Sequence, residues 1–233
     1  MTTTSFELKL IVTSALAART AYAIGIHRTE VNASFGGPMR MQRDGIWKSL
    51  RVIDMLISNV LGRPPSTSDV DCTVKYNSLS TNLDVQPNVL DASVQIFMII
   101  ERVVVEVYSR KRISLRIADY VSRQLKGWAA TWLRALTDIT TSTSGSTSRS
   151  TIVGACSTLC SYYYGIMLLT RPFLIYGLYE HLGASLKDGG SLSDHRNKRR
   201  YADAALDAAA SFVETLQAVI HAEIMPRCMP LIV

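Results

Sequence analysis

Apolar residues recur at intervals of three and four along the stretch from Met39 to Leu61. This spacing places them on one face of a helix, so the stretch is predicted to form a long amphipathic helix. Gly62 and the Pro64-Pro65 pair follow the last apolar residue, and both residue types commonly end helices. The predicted apolar stripe consists of Ile46, Trp47, Leu50, Ile53, Ile57, Val60 and Leu61.

Asp54 is an acidic residue close to this apolar stripe. A carboxylate in such a place must reach water or find a partner, because burying an unpaired charge is strongly unfavourable. We expect Arg63 or Arg171 to be that partner. The ion pair would then determine how two helices meet.

The same periodicity predicts further helices along the chain and no convincing strand. The first helix covers residues 6–27, with Leu8, Val12 and Leu16 on its packed side. Arg171-Pro172 is expected to end or kink a helix, because proline lacks the N–H that continues the hydrogen-bond ladder. The remaining predicted helices cover residues 89–108, 113–136, 152–170, 173–186 and 201–224.

Two segments between these helices are predicted to be irregular. Residues 62–86 are rich in proline, serine, threonine, asparagine and aspartate, and residues 137–151 form a Ser/Thr-rich loop. The predicted fold class is therefore all-α, an irregular bundle of about seven helices in a single domain.

The amino-acid composition limits the cellular compartments and the classes of protein that are compatible with this sequence. With 233 residues, 48% of them apolar, the chain can bury one sizeable core. The net charge of +6 permits acidic partners without requiring them. Four scattered cysteines are typical of a reducing compartment. No secretory signal is expected, and charged residues interrupt both apolar stretches, 94–107 and 162–179, so no membrane span is expected.

Three blocks of residues resemble the fungal-specific transcription factor domain, the middle homology region of zinc binuclear cluster regulators. Residues 17–28 end in Gly-Ile-His-Arg, which is similar to the Gly-Leu-His-Arg of the family. Residues 168–174 contain Arg-Pro-Phe and resemble its later His-Arg-Pro-Phe block. The resemblance covers roughly residues 10–180. Its central block consists of Trp47-Lys48-Ser49-Leu50, Asp54, Leu61-Gly62-Arg63-Pro64 and Asp69-Val70-Asp71-Cys72.

The resemblance implies a non-catalytic regulatory domain of a transcription regulator that acts in the nucleus. Such a domain would work through its conformation, through a small-molecule effector, or through homo- or heterodimerisation with related regulators. The six-cysteine zinc cluster of the family is not found in this sequence, so zinc and DNA binding would belong to a module that is not present, and the chain is expected to be a fragment. No cofactor or metal is expected in the chain itself. The structural or regulatory candidates are Trp47, Asp54, Gly62, Arg63, Pro64, Arg171 and Pro172.

Other functions stay open at this point. The chain could be a DNA-free interaction protein that dimerises with intact regulators, or a helical small-molecule-binding module or enzyme, although no catalytic motif is found. Cys156 and Cys160 are spaced for one helix face and could ligate zinc, but buried free thiols are the favoured interpretation. Two basic clusters, residues 110–112 and 196–200, could bind phosphate groups or direct nuclear import, and solvated helix ends are the favoured alternative.

Overall fold

The computed structural model describes residues 2–76, 88–109, 114–141, 148–181 and 192–224. Within these residues the chain forms seven α-helices, one π-helical turn and no strand, so the predicted all-α fold class is confirmed. The helices are α1 (Thr2–Ala23), α2 (Thr29–Ala33), α3 (Gly37–Leu61), α4 (Val89–Val103), α5 (Leu115–Thr141), α6 (Arg149–His181) and α7 (Leu192–His221), and the π-helical turn is Val104–Ser109.

The chain divides into two compact units, Met1–Glu101 and Arg102–Val233. In the first unit α3 packs against α1 and α2. A cluster of buried residues around Trp47 forms part of its core. In the second unit α6 packs against α5 and α7, and α5 also contacts α7.

Helix α3 ends as the sequence predicted. Gly62 takes a left-handed conformation with φ of +64°, and the N–H of Arg63 donates to the carbonyl of Ser58 at 2.9 Å. Glycine adopts this conformation without the steric cost that a Cβ atom would add. Pro38 lies in the first turn of the same helix, where its missing N–H leaves no hydrogen bond unmade.

The buried face of α3 differs from the predicted one. Ile46, Ile53 and Val60 are exposed, as are Leu8, Val12 and Leu16 on α1, so the prediction that these side chains are packed is wrong. The buried face is rotated from the predicted stripe by about one residue, roughly 100° of helix. Its members are Trp47, Lys48, Arg51, Asp54, Met55, Ile57 and Ser58. Polar residues occupy it because partners elsewhere in the first unit satisfy their hydrogen bonds and charges.

Helix α6 is the central helix of the second unit. It runs through Arg171-Pro172 to His181 as one helix, so of the two predicted outcomes at this pair, an end or a kink, the end is wrong. The predicted loop over residues 137–151 is wrong at both ends, because α5 extends to Thr141 and α6 begins at Arg149, and its residues 142–147 lie outside the described residues. Residues 182–186, the end of the predicted helix 173–186, lie outside the described residues.

One described segment, Arg149–Tyr179 of α6, is long and apolar enough to cross a membrane by length and composition. This segment includes the apolar stretch 162–179, in which the sequence analysis expects no membrane span. Half of its most apolar window is buried inside the structure. The core helix of a globular protein meets the same criterion, and the packing of α6 between α5 and α7 is of that kind.

Candidate functional site

Four polar residues line the buried face of α3 at intervals of three and four: Lys48, Arg51, Asp54 and Ser58. Such spacing puts them on one side of the helix. Three of them are ionisable, and burying charges is tolerated only when each finds partners. The partners come from α1, from α4 and from the irregular segment that follows α3, residues 62–76.

Asp54 is buried, with 2% of its surface exposed. Its Oδ2 accepts hydrogen bonds from the backbone N–H and from the hydroxyl of Thr67, both at 2.7 Å. Its Oδ1 accepts one from the Ser14 hydroxyl on α1 at 3.0 Å. The expected pairing with Arg63 or Arg171 is therefore wrong, because the described partners of the two carboxylate oxygens are Ser14 and Thr67. Three neutral donors satisfy this carboxylate, and they join α1, α3 and the segment 62–76.

Arg51 connects the same segment to α4. One of its terminal nitrogens donates to the carbonyl and hydroxyl oxygens of Thr67, at 2.8 and 3.0 Å. The other lies 2.9 Å from Asp69 and 3.0 Å from Glu101. Thr67 thus accepts from Arg51 and donates to Asp54 through one hydroxyl group.

The pKa shifts of Arg51 and Glu101 reflect their burial and their contacts with charged neighbours. Burial by itself would lower the pKa of Arg51, but the hydrogen bond and charge of Asp69, together with the charge of Glu101, leave it raised. Burial raises the pKa of Glu101, and the charge of Arg51 opposes that change. The two shifts therefore have different causes: neighbouring carboxylates account for the raised pKa of Arg51, and burial accounts for the raised pKa of Glu101.

Lys48 and Asp91 form a second, more deeply buried ion pair. The ammonium nitrogen lies 2.6 Å from Asp91 Oδ1, and 9% and 1% of the two side chains are exposed. Asp91 lies in the first turn of α4, where the helix dipole favours a negative charge. The pair connects α3 to the beginning of α4 within the first unit.

Trp47 is fully buried and lies between the end of α1 and the segment 62–76. Its ring contacts Tyr22 and His27 with centroid distances of 5.5 and 5.7 Å. Its Nε1 donates to the Cys72 sulfur at 3.1 Å. The candidate Trp47 is therefore a packing residue that three separate segments surround.

His27 is buried beside this tryptophan, and its Nδ1 has no hydrogen-bond partner among the described residues. Its Nε2 lies 3.8 Å from a carboxylate oxygen of Asp71. The same oxygen forms an ion pair with the Arg28 guanidinium at 2.7 Å. Burial, followed by the nearby charge of Arg28, lowers the pKa of His27, and Asp71 opposes this. The imidazole is consequently held in its neutral form more strongly than in the unfolded chain.

The remaining candidates divide between the two units. Gly62 ends α3, and Arg63 and Pro64 are exposed next to it without a described ion pair. Arg171 and Pro172 lie inside α6 of the second unit.

Pro172 leaves one carbonyl in α6 without its helical donor, that of Leu168 four residues earlier. The Tyr108 hydroxyl, from the π-helical turn, donates to this carbonyl at 2.8 Å. Arg171 contributes a side-chain hydrogen bond and its charge to the same tyrosine, and burial raises the pKa of Tyr108 despite them. The Arg-Pro pair is thus accommodated within a continuous helix by a side chain from outside it.

No family model, no curated protein and no solved structure matches this chain. The resemblance to the fungal-specific transcription factor domain rests on its three sequence blocks. Among residues 2–76, 88–109, 114–141, 148–181 and 192–224, no group of three or more His, Cys, Asp or Glu side chains is placed to hold a metal ion. Cys156 and Cys160 are buried free thiols that pack against Val219.

Sequence reasoning missed Lys48, Arg51 and Thr67. The signal for the two basic residues was present, because together with Asp54 they repeat at a spacing of three on one helix face. This signal is weak, because lysine and arginine on a helix usually face solvent and the apolar residues of α3 indicate a different face. No comparable signal marks Thr67, which lies in irregular backbone.

Proposed function

We propose that this chain is the regulatory domain of a fungal transcription regulator, working in the nucleus through its conformation rather than through catalysis. One observation carries the proposal: the first two blocks of the family resemblance contact each other. Trp47 packs against His27, and Asp71 pairs with Arg28, more than forty residues away. Residues selected by the resemblance alone thus occupy one joint of the fold.

The chemistry of this joint suits a conformational role. The buried charged groups are engaged with one another or with hydroxyl and backbone groups, as for Arg51 with Asp69 and Asp54 with Thr67. They join three elements, so a shift of one element would change the contacts of the others. A ligand or partner that binds one such arrangement better than another shifts the population between them.

Reciprocal polar contacts between α2 and the segment 62–76 extend this joint to its surface. The Thr29 backbone N–H donates to the Thr73 hydroxyl at 2.8 Å, and the Thr29 hydroxyl donates to the Thr73 carbonyl at 2.7 Å. The Thr73 hydroxyl in turn donates to Glu30. These contacts are exposed, so a binding partner could reach and rearrange them without unfolding the core.

A reporter experiment tests the proposal. The 233-residue chain is placed between an unrelated DNA-binding module and an activation domain in a fungal host, and reporter output is compared with that of a fusion containing an inert spacer. We expect the chain to change output in a manner that depends on growth conditions. Arg28→Gln, which removes the exposed pair with Asp71, should alter this dependence, whereas Arg63→Gln, at an exposed arginine beside the joint, should not. Output equal to that of the spacer under all conditions tested would contradict the proposal.

A second candidate function is a DNA-free interaction protein that dimerises with intact regulators. The exposed residues Ile46, Ile53 and Val60 favour it, because their spacing of seven forms a line along α3 of the kind that packs against another helix. Light scattering of the chain mixed with an intact regulator of the family would detect heterodimers. Ile53→Gln should weaken them, and Val213→Gln, an exposed valine on α7, is the matched control.

A further inference from the structure

A cavity of 570 Å³ lies between the C-terminal part of α6 and the N-terminal part of α7, entirely within the second unit. Its volume falls in the range of small-molecule sites, which runs from about 300 to 1,000 Å³. One part of its lining is apolar and includes Phe173, Leu174 and Leu206. The other part contains the basic residues of the cluster 196–200 that the sequence analysis singled out.

Among the lining residues that the structure describes, the basic ones are Arg196, Lys198 and Arg199, and the acidic one is Asp203. The Lys198 ammonium lies 4.1 Å from the centroid of the Tyr176 ring, a cation–π contact that holds it against the cavity wall. Neither arginine forms an ion pair within the described part of the chain. The described part of the lining therefore carries a net positive charge next to apolar surface.

The apolar part of the lining is supported by residues that do not themselves line the cavity. Phe173 is buried and stacks on Tyr201 with a centroid distance of 4.8 Å and an interplanar angle of 24°. The Tyr201 hydroxyl donates to Asp119 on α5. This support means that a ligand would meet a preformed surface, which lowers the ordering cost of binding.

We propose that this cavity binds a small amphipathic anion. An aliphatic or aromatic body would lie against Phe173 and Leu206, and a carboxylate or phosphate head would be held by Arg196 and Arg199. Arginine suits this role because its planar group donates two parallel hydrogen bonds to such heads. The proposal gives a chemical class to the effector included in the proposed function, but binding itself does not depend on a role in transcription.

Direct binding to the complete 233-residue chain tests the inference. Isothermal titration calorimetry is carried out with decanoate, decyl phosphate and decan-1-ol, each below its aggregation concentration. Both anions are expected to bind with one-to-one stoichiometry. The neutral alcohol should bind at least about tenfold more weakly, because a charge-assisted hydrogen bond contributes at least that factor to affinity. The relative affinity of the two anions identifies the preferred head group.

Paired variants locate the site. Arg196→Gln combined with Arg199→Gln should weaken anion binding at least about tenfold, whereas Arg200→Gln, an exposed neighbour that does not line the cavity, should not. Leu206→Trp should obstruct the cavity with a larger ring and weaken binding. Val213→Trp, one heptad later on α7 at a similarly exposed position, should leave it unchanged. Thermal melts of all variants show which of them retain the fold.

Several outcomes would overturn the inference. Equal affinity for decan-1-ol and decanoate would mean that the cations take no part. Equal weakening by Arg200→Gln would indicate unspecific attraction to a basic surface. Binding to anionic vesicles but to none of the monomeric ligands would assign the region to a membrane surface instead. Absence of binding by folded chain would reject the cavity as a site for this class and leave the proposed function to its own reporter test.

Discussion

The Tyr108 hydroxyl donates to the backbone carbonyl that Pro172 leaves without a donor in α6. A fully buried carbonyl without a donor costs about 1–3 kcal/mol, and this partly buried one should lie at the low end of that range, so the contact offsets part of the disadvantage of a proline inside a helix. It explains how α6 continues through a residue that was expected to end or kink it. The relationship also makes the contribution of Tyr108 conditional on Pro172.

Tyr108→Phe should therefore lower the free energy of unfolding by about 1 kcal/mol in the unmodified chain. In a Pro172→Ala background the alanine N–H can donate to Leu168, and the same substitution should cost distinctly less. Urea unfolding of the four proteins measures the coupling between the two changes. Tyr179→Phe, at an exposed tyrosine on the same helix, serves as control. Equal losses in both backgrounds would disprove the conditional role.

Removing the Asp54 carboxylate should destabilise the first unit. Asp54→Ala leaves the donors of Ser14 and Thr67 without their acceptor, and we expect the free energy of unfolding to fall by about 3 kcal/mol. Thermal and urea unfolding measure the loss. Asp207→Ala, at an exposed aspartate on α7, should have little effect. A loss for Asp54→Ala as small as that of the control would contradict the buried network.

The buried pair of Lys48 and Asp91 should show strong coupling. Lys48→Met strands a buried carboxylate and should cost about 3–5 kcal/mol. Adding Asp91→Leu should recover much of that loss, because no charge then lacks a partner. The same measurement on Arg28→Gln should give a much smaller change, since that pair is exposed despite its 2.7 Å separation. Additive losses at Lys48 and Asp91 would argue against direct pairing.

His27 should make stability depend on pH. Its folded-state pKa is lowered below 6.5, chiefly by burial, so between the two values the unfolded chain binds the proton more readily. Protonation of His27 therefore favours the unfolded chain. The stability associated with the neutral imidazole is present above about pH 6.5 and is lost as the pH falls from there through the folded-state pKa. The raised pKa of Glu101 acts in the opposite direction above its ordinary value of 4.5. Because Glu101 is present in both proteins, the difference in pH dependence between the unmodified chain and a His27 variant reports the effect of the histidine.

Urea unfolding across that window should show a shallower pH dependence for His27→Gln than for the unmodified chain. His221→Gln, at an exposed histidine near the end of α7, is the matched control and should reproduce the unmodified curve. Parallel curves for the chain and for His27→Gln would show that the imidazole does not titrate differently in the two states.

Two glycine substitutions should change stability in opposite directions. Gly62→Ala forces a Cβ atom into a left-handed conformation and should cost about 1 kcal/mol. Gly127→Ala lies inside α5, where an added Cβ has no neighbour within 4 Å, and should stabilise by roughly 0.5–1 kcal/mol. Thermal melts compare the two directly. A stabilising Gly62→Ala would mean that α3 does not end in the left-handed turn.

The sequence by itself determined the all-α class and the position at which α3 ends. Apolar periodicity and the Gly62 signal are local properties, and local hydrogen bonding decides whether a turn of helix forms or stops. It also indicated Asp54 as a buried charge, because a carboxylate beside an apolar stripe is recognisable in one dimension.

Only the tertiary structure decided which face of α3 is buried and what satisfies its charges. Arg51 and Lys48 can be withdrawn from water because Thr67, Asp69 and Asp91 come from distant parts of the first unit, and no spacing rule locates such partners. The continuation of α6 through Pro172 likewise depends on Tyr108, more than sixty residues earlier. Burial of a polar group is decided by the sum of its contacts, and those contacts exist only once the chain has folded.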